Sequence, residues 1–220
     1  MTSPPAWTLG ADDLVVAMDA STARVTVAIL RGTHVLAAAN GAARDGGEER
    51  LLPLLLSQLT VAAVPASAIR GIVIGAGPGS FTGLRVAAAT AKGLAVATGA
   101  ALAAVSSPLL IVAGLPAPPP PGRYLAVIDA MRGERFVTSI VVDETIRQIG
   151  TPRLVAAADV EALAADRGER TIGPGAFGDV WPEARGVARL GRPTAVDVAS
   201  WEPDYGRASA AEDRRAAHVP

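Results

Sequence analysis

Cysteine is absent from the 220 residues, which removes disulfides, thiolate zinc sites, iron–sulfur clusters and a cysteine nucleophile together. Histidine is nearly absent. His34 sits in a strand-like run and His218 near the C-terminal end, a pair that fits neither a two-histidine metal site nor a His-based triad; each reads as a solvated surface residue. Aromatics make up 4% of the chain, so few rings are available to stack on bases and an autonomous single-strand binder loses support. Lysine occurs once, at Lys92, and the remaining basic residues are arginine, a bias that genomic base composition explains as readily as function. Lys plus Arg is 20 against 21 for Asp plus Glu, a net charge of −1. There is no overall positive field to draw in a polyanion, and contact with nucleic acid has to be local or borrowed from a partner. No apolar run approaches the ~18 residues of a membrane span, and the first residues carry no basic segment followed by an apolar core. A soluble cytoplasmic protein is expected.

Half of the residues are apolar and 19% charged, which favours a packed globule over a disordered chain. At about 150 residues per domain, the length suits one large or two small, closely joined units. Residues 14–18, 24–30 and 33–39 read as three strands with short polar or glycine turns, an antiparallel meander. A helix over 48–60 follows, carrying Leu51, Leu52, Leu55, Leu56 and Leu59 at three- and four-residue spacing and tolerating Pro53 only in its first turn. Residues 69–74 read as a buried strand. Residues 75–83 form a glycine-rich loop into a long helix from about 82 to 98, followed by a strand at 101–105 and a helix over 109–112 with Ser106 or Ser107 as its cap. The proline run at 116–121 fits only a linker or surface loop. Beyond it come strands at 124–129 and 135–142, a helix over 158–167, a short strand at 170–172, a turn at 173–175, an irregular stretch through Trp181, and a small, charged tail that is expected to be disordered. Both halves open on strands around an aspartate turn, at Asp19 and at Asp129, as two copies of one plan would.

The segment Gly75-Ala76-Gly77-Pro78-Gly79-Ser80-Phe81-Thr82-Gly83-Leu84-Arg85 has the ingredients to approach a phosphate or another backbone segment closely. It matches neither known phosphate pattern. A Walker loop needs Gly-Lys-Ser/Thr, and Lys92 comes too late; a dinucleotide site needs an acidic residue about 20 positions on. Structural tightness and anion contact both remain open for this loop. In the helix after it, Gly83, Ala87, Ala88, Ala89, Ala91 and Ala95 leave one flank nearly bare, and helices with such flanks pack closely. The preceding leucine helix has more apolar circumference than one sheet can cover. Together the two helices suggest a protein-binding face. Asp19 with Ser21 and Thr22 suits a turn cap at least as well as a metal-bound water or a phosphate, and Asp129, Arg132 and Glu134 suit a solvated hairpin end with a weak ion pair. No nucleophile and base pair emerges, and binding is favoured over catalysis.

Several segments, in order, resemble the bacterial TsaB (YeaZ) family: Ala17-Met18-Asp19-Ala20-Ser21-Thr22, Glu49-Arg50-Leu51-Leu52-Pro53, Gly77-Pro78-Gly79-Ser80-Phe81-Thr82-Gly83-Leu84-Arg85, Ala89-Thr90-Ala91-Lys92-Gly93-Leu94-Ala95, Val105-Ser106-Ser107 and Val127-Ile128-Asp129-Ala130. The resemblance spans most of residues 14–142 and thins afterwards, where Pro203-Asp204-Tyr205-Gly206-Arg207 is similar to the family's usual ending. It implies an α/β actin-like ATPase fold (ASKHA, ribonuclease H-like), two subdomains of mixed sheets flanked by helices. The expected division is a flexible N-terminus at 1–13, a first subdomain at 14–115 carrying the partner-binding helices, a Pro-rich linker at 116–123, a smaller second subdomain at 124–207 with room for part of it to return to the first, and a disordered tail at 208–220.

The resemblance also implies a non-catalytic subunit of the machinery that makes N6-threonylcarbamoyladenosine at position 37 of tRNAs reading ANN codons. Such a subunit forms a heterodimer with the catalytic TsaD-type paralogue, helps a TsaE-type ATPase dock, forms a homodimer when isolated, and meets tRNA only through the complex. It has no metal, no catalytic residue and no cofactor of its own, while the assembled complex requires ATP. The partner-facing residues it implies are Leu51, Leu52, Leu55, Leu59, Leu84, Ala87, Ala88, Ala91, Lys92 and Ala95. Those nearest a nucleotide phosphate would be Asp19, Ser21, Thr22, Gly77, Gly79, Ser80, Thr82 and Arg85. One departure is that relatives often carry His-Ser-Glu-Arg where this chain reads Gly47-Glu48-Glu49-Arg50. The alternatives are a free-standing ATP-dependent enzyme, a metallopeptidase for which the ligands are missing, and a tRNA-binding module.

Overall fold

The computed structural model describes residues 10–45 and 48–206. Most of the expected loose start, Gly47 and the tail at 208–220 lie outside the described residues; residues 10–13 form a turn closed by the Gly10 amide donating to Asp13 at 2.7 Å. The first sheet begins with β1 (Leu14–Asp19), β2 (Arg24–Arg31) and β3 (His34–Ala42) as an antiparallel meander. The two-residue strands β4 (Arg44–Asp45) and β5 (Glu48–Glu49) lead into α1 (Leu51–Val61). Then come β6 (Ile69–Gly75), parallel to β1, α2 (Phe81–Thr98), β7 (Ala101–Val105), parallel to β6, and α3 (Ser107–Ala113). The second sheet repeats the opening with β8 (Gly122–Asp129), β9 (Glu134–Val142) and β10 (Ile146–Ala156), antiparallel, then α4 (Val160–Arg167) and β11 (Arg170–Ile172), parallel to β8. A 3-10 turn at Ala184–Arg189 and β12 (Thr194–Ala195), antiparallel to β7, bring the chain back to the first sheet.

The strand orders are β12-β7-β6-β1-β2-β3 and β10-β9-β8-β11. In each sheet the first meander strand lies between its hairpin partner and the next parallel strand, and each ends on an aspartate, Asp19 opposite Thr26 and Asp129 opposite Arg135. This duplicated plan of mixed sheets flanked by helices is the actin-like ATPase architecture.

Local chemistry accounts for the elements. β1 and β2 are apolar almost throughout because both faces of the sheet are covered, as in parallel sheets generally. On one face Leu51, Leu55, Leu59, Ala87, Ala91 and Ala95 meet Val16, Met18, Val27, Ile29, Ile72 and Ile74. On the other Val15, Ala17, Leu30 and Val73 meet Leu110 of α3 and Ala184. α3 faces two ways, since Ile111 and Val112 pack with Tyr124, Ile128, Phe136 and Ile140 of the second sheet. It joins the two halves. The returning segment is held by the Ala184 amide donating to the buried Thr26 hydroxyl at 3.0 Å and by Asn40 donating to the Glu183 carboxylate.

The helix expected over 48–60 begins at Leu51. Glu49 turns its carboxylate forward to accept from the Leu51 amide at 2.5 Å, and Pro53 takes the third position of the first turn, where its missing N–H leaves no bond unmade. α2 opens one residue earlier than expected because Ser80 caps it, accepting from the Gly83 amide at 3.2 Å. It closes on Gly99, whose φ of +70° is the left-handed stop. Ser107 caps nothing; its hydroxyl is used elsewhere. β10 was not expected, since Gly150 and Pro152 interrupt its apolar alternation and the register shifts between Ile149 and Arg153.

Candidate functional site

The turn after β1 is built around Asp19, which is fully buried. One carboxylate oxygen accepts from the Ser21 amide at 2.9 Å and from its hydroxyl at 2.7 Å. The other accepts from the Ser107 hydroxyl at 2.5 Å, and that hydroxyl in turn accepts from the Gly77 amide at 2.9 Å. The end of β1, the start of α3 and the glycine loop are thus tied to one carboxylate. Among the described residues no cationic side chain pairs with it. Burial pushes its pKa above the ordinary aspartate value of 3.8, against the opposing pull of the Ser107 and Ser21 hydrogen bonds.

The sign of the pH dependence follows. Between the unfolded pKa and the raised folded value the native state holds the extra proton, so Asp19's contribution is fully present below about pH 3.8 and falls as pH rises through the folded value. Asp19→Asn removes that loss. The stability difference, variant minus wild type, is expected to become more favourable as pH is raised from about 4 towards neutrality, as chemical denaturation at several pH values would measure. A flat difference would mean that Asp19 has no raised pKa.

The glycine loop folds against its own chain. A Cβ on Gly75 would lie 1.8 Å from the Asp19 carboxylate, one on Gly79 2.1 Å from the Ser21 carbonyl, one on Gly83 1.9 Å from the Ala20 carbonyl, and one on Gly77 2.2 Å from the Asp204 carbonyl. The loop amides bond internally as well: Ala76 to the Val105 carbonyl, Gly77 to Ser107 and Ser80 to the Ser21 carbonyl. The absence of side chains therefore lets four backbone segments converge, which is the structural reading of the motif. Thr22 closes its own turn through the Arg24 amide at 3.2 Å. Thr82 and Arg85 are exposed, and Arg85 lies over the Phe81 ring at 5.3 Å.

The expected partner-facing residues divide by burial. Leu51, Leu55, Leu59, Leu84, Ala87, Ala88, Ala91 and Ala95 are buried in the chain's own core, with Leu59, Ala88 and Ala95 keeping 6%, 6% and 4% exposure. Lys92 is half-buried and pairs with Glu202 at 3.2 Å. Leu52 is 47% exposed. The face that α1 and α2 present to solvent carries Leu52, Leu56, Val61 and Val96, four of the eight exposed large apolar side chains among the described residues. Between them stand the exposed small residues Ala89, Gly93 and Ala97, and α1 contains no charged residue. Surface helices ordinarily carry charge on the solvent side; apolar surface concentrated on one helix pair marks a contact surface.

The ends of the two sheets that carry Asp19 and Asp129 face each other across a cleft of about 1360 Å³. The hairpin end at Asp129 is solvated and carries an ion pair, as expected, with Arg135 in place of Arg132 as the partner. Its carboxylate pairs with Arg135 at 2.7 Å and caps the Met131 amide, leaving Arg132 outside the ion pair. Phe177 and Trp181 also line the cleft; they fall in the stretch read from sequence as irregular, and no local motif marks them. Among the described residues no group of three or more His, Asp or Glu side chains could hold a metal ion, and no helix is long and apolar enough to cross a membrane.

The family model described as TsaD, tRNA N6-adenosine threonylcarbamoyltransferase, matches residues 42–177, more than half of the chain. The tRNA threonylcarbamoyladenosine biosynthesis protein TsaB of Escherichia coli (strain K12) is 31% identical over 59% of this chain and 56% of its own length; the chain thus spans little more than half of that relative. An uncharacterized protein of Mycobacterium tuberculosis (strain H37Rv) is 34% identical over 67% of each chain. A crystal structure from Pseudomonas aeruginosa, described as an uncharacterized protein with similarity to peptidase YeaZ, superposes with a TM-score of 0.72 at 25% identity, covering 89% of this chain and all of that one.

Proposed function

The chain belongs to the TsaB (YeaZ) family, and from that premise we propose that it acts in tRNA threonylcarbamoyladenosine biosynthesis as a non-catalytic scaffold subunit. It binds a TsaD-type catalytic paralogue through the outward face of α1 and α2, supports docking of a TsaE-type ATPase, and forms a homodimer through the same face when alone. It holds no cofactor; the ATP of the assembled reaction is handled by its partners, tRNA is met through the complex, and the setting is the cytoplasm. The observation that carries this reading is the charge-poor apolar face of the two helices, with Leu52, Leu56 and Val96 turned outward. Burial of ~800 Å² per partner makes a stable contact. The geometry around Asp19 supports the absence of catalysis, because the carboxylate is enclosed and the Ala76, Gly77 and Ser80 amides bond to the chain itself.

Size-exclusion chromatography of the chain mixed with its TsaD-type paralogue tests the reading. The two are expected to co-elute as a heterodimer, and the chain alone is expected to elute as a dimer that hydrolyses neither ATP nor peptide. Separate elution of the two proteins, or robust turnover by the purified chain alone, would overturn it.

A further inference from the structure

The chain has few aromatic side chains, yet among the described residues Phe81, Phe136, Phe177, Trp181 and Tyr205 all border a cleft between the two sheets; Phe136 lies beneath the surface at 3% exposure, Tyr205 packs on Phe81 with ring centres 4.8 Å apart, and the Arg24 guanidinium covers Trp181 at 5.6 Å. They come from both halves of the fold: Phe81 from the start of α2, Phe136 from β9, and Phe177, Trp181 and Tyr205 from the irregular segments that follow. Phe81 is 48% exposed, and Met131 beside the rings is 69% exposed. Three arginines stand among them. Arg135 is committed to Asp129, whereas Arg44 on the first half, cross-strand from Glu49, and Arg132 on the second are exposed and make no ion pair or side-chain hydrogen bond among the described residues. Two uncommitted guanidinium groups thus flank a ring-lined floor, on a protein whose net charge is −1. The cleft, at about 1360 Å³, has room for more than one small molecule.

Rings to stack on and isolated cations at the lips are what an unpaired nucleic-acid strand needs, since every base has a π-face and every linkage a negative charge. The glycine loop packs on the turn after β1 and on the Asp204 backbone, and Gly79 to Gly83 form one wall of the cleft. We propose that the cleft binds an unpaired segment of RNA, with bases against Trp181 and Phe177 and backbone phosphates on Arg44 and Arg132. This rests on the reading of the chain as part of a tRNA-modifying assembly, and it replaces that reading's contact with tRNA through partners by a direct one.

The test is fluorescence anisotropy of a labelled seven-nucleotide single-stranded RNA against the full chain over a salt series, with AMP and an acidic peptide as competitors. The RNA is expected to bind. Trp181→Ala should weaken it about five- to a hundredfold. Arg44→Ala with Arg132→Ala, both at exposed side chains that leave the fold alone, should lower the slope of log affinity against log salt by about 1.4. Arg147→Ala, outside the cleft, should change nothing. The proposal is overturned if RNA fails to bind, if it binds the arginine double variant with unchanged affinity and salt slope, or if AMP or the peptide displaces it at equal or lower concentration. Self-association on size exclusion is read in parallel; RNA failing to bind a chain that still dimerises removes the cleft proposal and leaves the scaffold reading standing.

Discussion

Glutamate at both Leu56 and Val96 is expected to weaken association, with the paralogue and with a second copy, by at least about a hundredfold while the chain stays folded. The two side chains are 56% and 78% exposed on neighbouring helices, and substitutions at such positions usually shift stability by no more than about 0.5 kcal/mol. At a desolvated apolar contact the same carboxylates have no partner, and losses at central contact positions reach about 2–4 kcal/mol. Sedimentation velocity and thermal melting on the same samples separate the two effects. Leu55→Glu is the contrasting case, one residue earlier but 2% exposed; it should lose the fold together with the association. A double variant that associates like wild type would move the interface away from α1 and α2.

Two glycines of α2 are expected to answer an alanine substitution with opposite signs. At Gly93 a Cβ meets nothing within 4 Å, so Gly93→Ala should stabilise by about 0.5–1 kcal/mol through helix propensity. At Gly83 a Cβ falls 1.9 Å from the Ala20 carbonyl oxygen, a backbone atom held by the turn after β1. Overpacking of this kind costs about 1–3 kcal/mol, which outweighs the propensity gain. Since 1 kcal/mol moves Tm by about 2–4 °C in a protein of this size, calorimetry should find one variant above wild type and the other clearly below. A Gly83→Ala variant as stable as wild type would mean that the glycine loop does not need its close approach.

The sheets and the main helices were legible because their signals are local. β1, β2 and β6 are short apolar runs bounded by turn residues, and α2 has its cap, its periodicity and its closing glycine in sequence. β10 was hidden by Gly150 and Pro152 inside the strand, and β12 by having only two residues. The family resemblance named a pair of helices, but it did not divide their faces. That division depends on which side of α2 lies over β6 and β7, so Ala91 is enclosed while Ala89, two positions away, is exposed. The enclosure of Asp19 by Ser107 joins residues far apart in the chain, and no local motif announces it. Composition could not place the aromatic residues: an average over the chain says nothing about whether the few rings gather at one place, as those bordering the cleft do.

The most direct test of the account is a reconstituted tRNA modification reaction containing the TsaD-type paralogue and the TsaE-type ATPase, with threonylcarbamoyladenosine measured by mass spectrometry of digested tRNA. The account predicts that modification stops when this chain is omitted, returns with wild type, and does not return with the folded variant carrying glutamate at Leu56 and Val96. Full modification without the chain, or with that variant in its place, would contradict it.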